Sequence, residues 1–339
     1  MTTTTTLAVE AQGLVKKFGS LRAVDGIDLH VQAGEVFGVL GPNGAGKTTT
    51  LSMLATLLRI DAGAARIFGV DVQHEPHKVR QLIGLTGQYA SVDEKLTARE
   101  NLVLFARIHG QGKQRARNTA GDLLDRFGLA DAGDRLLEKF SGGMRRRLDL
   151  AASLISSPPL IFLDEPTTGL DPRTRGQMWD TIRDLVRQGS TILLTTQYLD
   201  EADQLADRIA VIDKGHKVAE GTSGELKASV GRSTLAVRLT DPDDMDAAAR
   251  AVATVLGRPA SRTPEAARLT VPLERADDAA EALIALRHGG ISVEQVAVEE
   301  PTLDEVFLAL TGAPATADDI PTDTEPAPRE ELEQLEASR

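Results

Sequence analysis

The stretch Gly41-Pro-Asn-Gly-Ala-Gly-Lys-Thr48 decides the fold of this chain. It fits the phosphate-binding pattern G-x-x-x-x-G-K-[ST], and it lies between an apolar run at residues 35–40 and a helical run that starts near Thr49. Glycines let the backbone of such a loop wrap closely around phosphate groups, and the N-terminus of the following helix adds positive potential. We therefore expect a triphosphate to bind here. Lys47 would contact its β- and γ-phosphates, and the Thr48 hydroxyl would ligate Mg²⁺.

The whole loop is expected to contact the phosphates. The residues concerned are Gly41, Pro42, Asn43, Gly44, Ala45, Gly46, Lys47, Thr48 and Thr49. A glycine-rich turn of no special purpose is the alternative, but the agreement of strand, loop and helix disfavours it.

A second apolar run, Leu160-Ile-Phe-Leu-Asp-Glu165, ends in two acidic residues. Asp164 is placed to hold the metal ion through water, and Glu165 is placed to polarise an attacking water molecule. Paired acids at a strand end could instead cap a helix. That reading is disfavoured because neighbouring parallel strands of one sheet open on a common crevice, which would bring these acids to the phosphate loop.

The apolar runs at residues 35–40, 160–163, 191–195 and 208–213 are too short for core helices and are bounded by polar residues or glycine, so they are predicted strands. Amphipathic stretches between them indicate an α/β layer with a largely parallel sheet. The interval of about residues 91–157 departs from this alternation of strands and amphipathic stretches, because its apolar residues have helical spacing. We interpret it as a helical subdomain.

A different pattern of interleaved strand-like and helical segments begins near residue 229. It indicates a small α+β domain, of which the ferredoxin-like fold is one form. The polar N-terminus and the Ala-, Pro- and acid-rich C-terminal tail are predicted to be flexible. The predicted division is a flexible N-terminus at residues 1–6, an α/β unit at 7–228, an α+β domain at 229–312 and a disordered acidic tail at 313–339.

The chain of 339 residues has 50 Asp+Glu against 38 Lys+Arg, a formal net charge of −12. This charge disfavours broad contact with nucleic acid phosphates. The absence of cysteine excludes disulfides, thiolate zinc sites and cysteine nucleophiles. No apolar run reaches the roughly 18 to 20 residues that span a bilayer, and the N-terminus lacks the regions of a signal peptide. We therefore expect any membrane-spanning partner to be another polypeptide.

Ser141, Gly142 and Gly143 open a predicted helix between the phosphate loop and the acidic strand. A serine in this position is usually only a helix cap. Here, however, the chain carries in order a phosphate loop, an S-G-G signature, an L-D-E strand and a G-L-D loop. Members of the ABC ATPase family carry the same motifs in the same order. From about Leu7 to Leu226 the chain therefore resembles that family. The resemblance implies the P-loop NTPase fold of an ABC cassette with a helical subdomain, an enzyme that binds ATP and Mg²⁺ and hydrolyses ATP.

The resemblance also implies roles for residues that match the family's motifs. Phe18 in Lys17-Phe-Gly19 would stack on adenine, and Gln88 in Gly87-Gln-Tyr89 would reach Mg²⁺ and the attacking water. Asp171 would lie in a loop that signals between the halves of a dimer. In the family the signature of one subunit closes over the γ-phosphate on the other, so Ser141 and Gly143 are expected to act in trans.

Two positions depart from the family's pattern. Met144 follows the S-G-G triplet where the family usually has glutamine, and Gln197 in Thr195-Thr-Gln-Tyr198 replaces the family's switch histidine. Glutamine can donate an amide hydrogen bond to the γ-phosphate but cannot take up a proton. We therefore expect Glu165 to be the general base.

Residues 89–94, 198–208 and 303–312 narrow the resemblance to the ATP-binding subunits of daunorubicin/doxorubicin-resistance exporters, the DrrA type. This implies a separate membrane permease, a homodimer of cassettes at the cytoplasmic face of the cell membrane, and export of an amphipathic drug or antibiotic. Two alternatives are a soluble ABC ATPase that remodels nucleic acid or ribosomes, and an import ATPase. Residues 303–310 form a predicted amphipathic helix that either packs on its own domain or controls assembly or coupling.

Overall fold

The computed structural model describes residues 6–86, 92–231, 233–263, 266–275 and 277–311. We call its first part, up to residue 230, the N-terminal unit. The strands of this unit are β1 (Leu7–Phe18), β2 (Leu21–Gln32), β3 (Val36–Leu40), β4 (Ala62–Ile67), β5 (Val70–Asp71), β6 (Ile83–Thr86), β7 (Leu160–Asp164), β8 (Thr191–Thr196), β9 (Arg208–Asp213) and β10 (His216–Gly221). Its α-helices are α1 (Lys47–Leu54), α2 (Pro76–Leu82), α3 (Ala98–Ile108), α4 (Lys113–Arg126), α5 (Gly142–Ser153), α6 (Pro172–Arg187), α7 (Leu199–Leu205) and α8 (Ser223–Val230).

Two sheets form the layers of this unit. The central sheet has the order β10-β9-β3-β8-β7-β6. It is parallel except for the antiparallel pair of β9 and β10, so the prediction of a largely parallel sheet is confirmed. The second sheet, β2-β1-β4-β5, is antiparallel and was not predicted from the sequence.

The side chains of β7 alternate between two apolar cores. Leu160 and Phe162 pack in a core with the antiparallel sheet and α1, whereas Ile161 and Leu163 pack in a core with α3, α4, α5 and α6. Every residue of β3 and β7 is therefore buried, as expected for parallel strands whose two faces are both covered. This packing explains why these strands are continuous apolar runs in the sequence.

The interval that was interpreted as a helical subdomain contains α3, α4 and α5. A capping box starts α3: Thr97 Oγ1 accepts from the N–H of Glu100, and the Glu100 carboxylate accepts from the N–H of Thr97. Such a cap stabilises a helix N-terminus by about 1 kcal/mol. The buried apolar side chains of α5, Leu148, Leu150 and Ala151, belong to the same core as one face of β7. The helices and the sheet therefore form one packed body.

The C-terminal domain follows α8. Its elements are β11 (Thr234–Leu239), α9 (Met245–Leu256), β12 (Ser261–Thr263), β13 (Arg268–Pro272), α10 (Asp278–His288) and β14 (Val293–Glu299). The sheet order is β12-β13-β11-β14, and its strand pairs are antiparallel. A β-α-β-β-α-β chain with this order is ferredoxin-like, and the predicted α+β class is confirmed.

The chain then returns to the N-terminal unit. The last described helix, α11 (Leu303–Thr311), buries Val306 and Phe307 in an apolar cluster with Leu199 of α7 and Leu226 of α8. The interpretation that this helix packs on its own domain is wrong, because the cluster contains no residue of the ferredoxin-like fold. Across the described ranges, no helix has the length and apolar character needed to cross a bilayer.

Phe307→Ala is expected to weaken the docking of α11, because Phe307 is only 4 % exposed and truncation of a buried Phe costs about 3–5 kcal/mol. Leu308→Ala is the matched control, since Leu308 is 48 % exposed on the same helix. Native-state hydrogen exchange of the α11 amides measures the free energy of local opening. Equal losses in the two variants would contradict the assigned buried face.

Candidate active site

The loop at residues 41–46 joins β3 to α1 and packs closely on neighbouring backbone. A Cβ atom on Gly41 would lie 2.2 Å from the carbonyl oxygen of Ile212, and one on Gly46 would lie 2.3 Å from that of Ala23. Gly46 also has φ of 104°, which side-chain-bearing residues rarely adopt. These glycines are therefore required by the packing of the loop itself, a reason that the sequence pattern did not reveal.

The predicted phosphate-binding residues lie along this loop and the first turn of α1. Of these, Gly41, Ala45, Gly46 and Lys47 are buried, Pro42 and Thr49 are half-buried, and Asn43, Gly44 and Thr48 are exposed. A helix N-terminus is thus presented at the carboxyl end of β3, and such an arrangement binds phosphate through backbone N–H groups and the helix dipole.

Lys47 is buried, with 4 % exposure. Its Nζ donates to the carbonyl oxygens of Gly41 at 2.8 Å and Pro42 at 3.0 Å, and it lies 3.4 Å from Glu165 Oε1. Burial lowers the pKa of Lys47 from its usual value, and the charge of Glu165 opposes that change. The ammonium group is therefore held at the loop by two carbonyls and one carboxylate.

Thr48 and Asp164 form the candidate metal site. Thr48 Oγ1 donates to Asp164 Oδ1 at 3.1 Å, and Thr195 Oγ1 donates to the same carboxylate oxygen. A hydroxyl and a carboxylate are hard oxygen donors of the kind that Mg²⁺ binds together with substrate phosphates. The pair brought together by β7 and α1 therefore fits Mg²⁺ by donor chemistry.

Glu165 follows β7 in an unusual backbone conformation, with φ of 47°. Its N–H donates to the carbonyl and to the hydroxyl of Thr195, each at 3.1 Å. The hydroxyl of Thr168 donates to Glu165 Oε2 at 3.2 Å. A left-handed conformation in a residue with a side chain costs about 1–3 kcal/mol and persists only when its surroundings impose it. In this conformation the Glu165 carboxylate forms its ion pair with Lys47.

The signature residues lie at the start of α5. Ser141 caps this helix, since its Oγ accepts from the N–H of Met144 at 3.3 Å. Ser141 and Gly142 are exposed, whereas a Cβ on Gly143 would lie 2.3 Å from Thr174 Cγ2. Among the hydrogen bonds of the described residues, none joins the signature to the phosphate loop.

Asp171 caps α6 and contacts the same threonine. Its carboxylate accepts from the N–H of Thr174 at 3.0 Å and from the Thr174 hydroxyl at 2.7 Å. These hydrogen bonds lower the pKa of Asp171 from its usual value. Because Thr174 also packs on Gly143, the signature and the loop of Asp171 share one point of contact.

Among the described residues, Phe18 and Gln197 have no hydrogen bond to this network. Phe18 ends β1 with 47 % of its surface exposed, and Lys16 Nζ lies 5.6 Å from the centre of its ring. Gln197 follows β8 and is half-buried. Gln88 falls outside the described residues.

Glu201 on α7 was missed from the sequence, although it is fully buried beside the site. Its Oε1 accepts from the hydroxyl of Thr167 at 2.8 Å and from the indole N–H of Trp179 at 3.2 Å, and the Thr196 side chain also bonds to it. Burial raises the pKa of Glu201 against the effect of these hydrogen bonds. The only signal in the sequence is an acidic residue beside the apolar positions of α7. Arg146 of α5, which bonds to the last residue of β7 and to the two residues after it, was also missed.

Comparison with known proteins places the chain among transport ATPases. The family model "ABC transporter" matches residues 24–168, and "ATP-binding protein DrrA1-3-like, C-terminal domain" matches residues 221–311. The chain is 56 % identical over 315 residues to the daunorubicin/doxorubicin resistance ATP-binding protein DrrA of Streptomyces peucetius, covering 93 % of this chain and 96 % of that protein. It is 45 % identical over 316 residues to the doxorubicin resistance ATP-binding protein DrrA of Mycobacterium tuberculosis, covering 91 % and 95 %.

The fold is similar to solved ATP-binding cassettes. A dimeric cassette in a post-hydrolysis state, bound to ADP and Pi, superposes with a TM-score of 0.59 at 25 % identity and covers 63 % of this chain and 98 % of its own. The similarity therefore supports the cassette fold of the N-terminal unit.

Glu201→Gln is expected to remove a loss of stability that the wild type shows as pH rises. A raised pKa means that the folded state binds the proton more tightly than the unfolded state, so the free energy of unfolding falls as pH rises above the ordinary value of 4.5. The wild type should lose about 1.4 kcal/mol per pH unit relative to the variant until the folded pKa is passed. Urea unfolding of both proteins across this range measures the difference. Asp200→Asn, at an exposed position of the same helix, is the control: it keeps Glu201 and should lose stability with pH as the wild type does.

Proposed function

The chain belongs to the DrrA-type ATP-binding proteins of the ABC transporter family, and from that premise we propose that it drives export of an amphipathic drug or antibiotic through a separate membrane permease. Membership makes it an ATP-binding and ATP-hydrolysing subunit of an ABC exporter. The observation that carries the drug-export proposal is the extent of the similarity, which continues through the C-terminal domain. An import ATPase or a ribosome-remodelling ATPase would be similar to this chain in the ATPase cassette only, and not in the C-terminal domain.

We assign the phosphates of ATP to the loop at residues 41–49, with Lys47 on the β- and γ-phosphates. Support comes from the buried ammonium group at the end of the loop and from the N-terminus of α1 beside it. Thr48, Asp164 and Gln88 would hold Mg²⁺. When it is bound, this ion neutralises the negative charge of the phosphates. The half-exposed ring of Phe18 is proposed to stack on adenine.

Glu165 is the proposed general base, and Gln197 is proposed to donate its amide to the γ-phosphate. The Thr168 hydroxyl donates to the Glu165 carboxylate, and the Glu165 N–H donates to Thr195. Together these bonds hold the carboxylate at a defined position, which a base requires if it is to accept a proton from water. Gln197 has no proton-accepting group of this kind. The acid–base chemistry therefore falls to Glu165.

We further propose that two copies enclose two ATP molecules, each between a phosphate loop and the Ser141–Gly143 turn of the other copy. The exposure of Ser141 and Gly142 and the similarity to a dimeric cassette support this. Bound ATP would then favour the closed dimer over the open one, because only the closed form makes both sets of contacts. The dimer is proposed to act at the cytoplasmic face of the cell membrane, where closure would move the permease.

Lys47→Ala should weaken ATP binding at least tenfold and abolish drug export by cells that also express the permease, because the phosphates lose their cation. Glu165→Gln should keep ATP binding while kcat falls by roughly 10²- to 10⁴-fold, the usual contribution of a general base. Nucleotide titration and phosphate release measure these effects. Lys214→Ala, at a lysine that is 85 % exposed, is the control for Lys47→Ala. Full turnover by Glu165→Gln would show that the base is another group.

Ser141→Trp should prevent closure of the dimer without affecting ATP binding to a single copy, because the bulky side chain would obstruct the contact made in trans. The test is made in the Glu165→Gln background, where ATP should hold the dimer closed. Light scattering with and without MgATP measures the molar mass. Ser261→Trp, at an exposed serine of β12, should dimerise normally. Normal ATP hydrolysis by the single variant Ser141→Trp would contradict the proposal that the site is completed by the second copy.

A further inference from the structure

Arg146 connects the signature helix to the backbone that carries Glu165. It lies in the second turn of α5, and its Nη2 donates to the carbonyl oxygens of Asp164 at 2.6 Å and Glu165 at 3.1 Å. Its Nε donates to the carbonyl of Pro166 at 3.0 Å. One guanidinium group thus bonds to three successive carbonyls, that of the last residue of β7 and those of the next two residues.

These carbonyls lie where the strand ends and the backbone turns. The N–H of Glu165 is held from the opposite side by Thr195 of β8, so β8 and α5 together hold the two ends of one residue. A residue at φ of 47° needs such restraint, because its backbone would otherwise relax toward an allowed region. Arg146 supplies the restraint on the Glu165 carbonyl that comes from α5.

The neighbouring arginines of α5 point elsewhere. Arg145 forms an ion pair with Glu94 at the surface, and Arg147 donates to the carbonyl of Phe127 at 3.4 Å. Burial lowers the pKa of Arg146 from its usual value, and the nearby carboxylates of Asp149 and Asp164 oppose that change. Of the three consecutive arginines, Arg146 is therefore the one that belongs to the surroundings of the acidic strand.

We propose that Arg146 is a positioning residue that sets Glu165 for water activation and links its position to the signature. The link is short, because α5 begins immediately after Ser141 and a helix transmits displacement as a rigid element. Movement of Ser141 at the contact between two copies would then be passed through Arg146 to the peptide of Glu165. This inference rests on the proposed roles of Glu165 and Ser141.

The test compares Arg146→Lys with Arg145→Lys in steady-state ATP hydrolysis by the full chain. A lysine ammonium group cannot reproduce the planar fork that spans three carbonyls. We expect kcat of Arg146→Lys to fall roughly 10- to 100-fold with KM for MgATP changed by less than about threefold, because the phosphate loop is untouched. Arg145→Lys should retain kcat and KM. A kcat for Arg146→Lys within about twofold of the wild type would overturn the inference.

A double substitution tests whether Arg146 acts through Glu165. In the Glu165→Gln background, Arg146→Lys should lower kcat no further, since residues acting as a unit are not additive. A further tenfold loss would overturn the inference by showing a separate role. If Arg146→Lys does not fold, Arg146→Gln is measured by the same criteria, and failure of both to fold would assign Arg146 to stability alone and likewise overturn the inference. Full turnover by Glu165→Gln alone would instead refute the proposed base.

Discussion

The site depends on one buried ion pair, between Lys47 at the start of α1 and Glu165 after β7, whose charged atoms are 3.4 Å apart. Two charges with such low exposure are tolerated only when they are paired and their remaining hydrogen-bonding groups are satisfied. The loop carbonyls satisfy Lys47, and Thr168 bonds to the Glu165 carboxylate. The pair exists because β3 and β7 flank β8 in a parallel sheet, so their carboxyl ends open on the same edge.

The groups around this pair belong to elements that are distant in sequence. The peptide of Glu165 lies between Thr195 of β8 and Arg146 of α5. The next residues of the same loop reach Glu201, which also bonds to α6 through Trp179. In a low-dielectric interior each lost hydrogen bond leaves an unpaired polar group, so the bonds of this network resist breaking. The loop that carries the proposed base is therefore held directly by α5, α7 and β8, and α6 supports it through Glu201.

The C-terminal domain is fastened to the N-terminal unit at both ends. It begins after α8, and its last strand is followed by α11, which packs back on α7 and α8. Helix α7 starts at Leu199, two residues after Gln197. The apolar face of α11 thus closes on the helix that follows the proposed γ-phosphate contact. Since that face buries large side chains, the two units are joined by a hydrophobic contact as well as by the chain.

The sequence by itself determined the glycine-rich loop between β3 and α1, the acidic strand, the parallel sheet and the α+β class of the C-terminal domain. These features are local: a phosphate loop must be contiguous because consecutive backbone N–H groups bind one ligand, and a strand buried on both faces is a continuous apolar run. Only the tertiary structure decided that Arg146, rather than Arg145 or Arg147, faces the acidic strand, that Glu201 is buried, and that α11 packs on the N-terminal unit. Which face of a helix meets which distant backbone depends on packing between elements, and composition or spacing along one chain does not specify it.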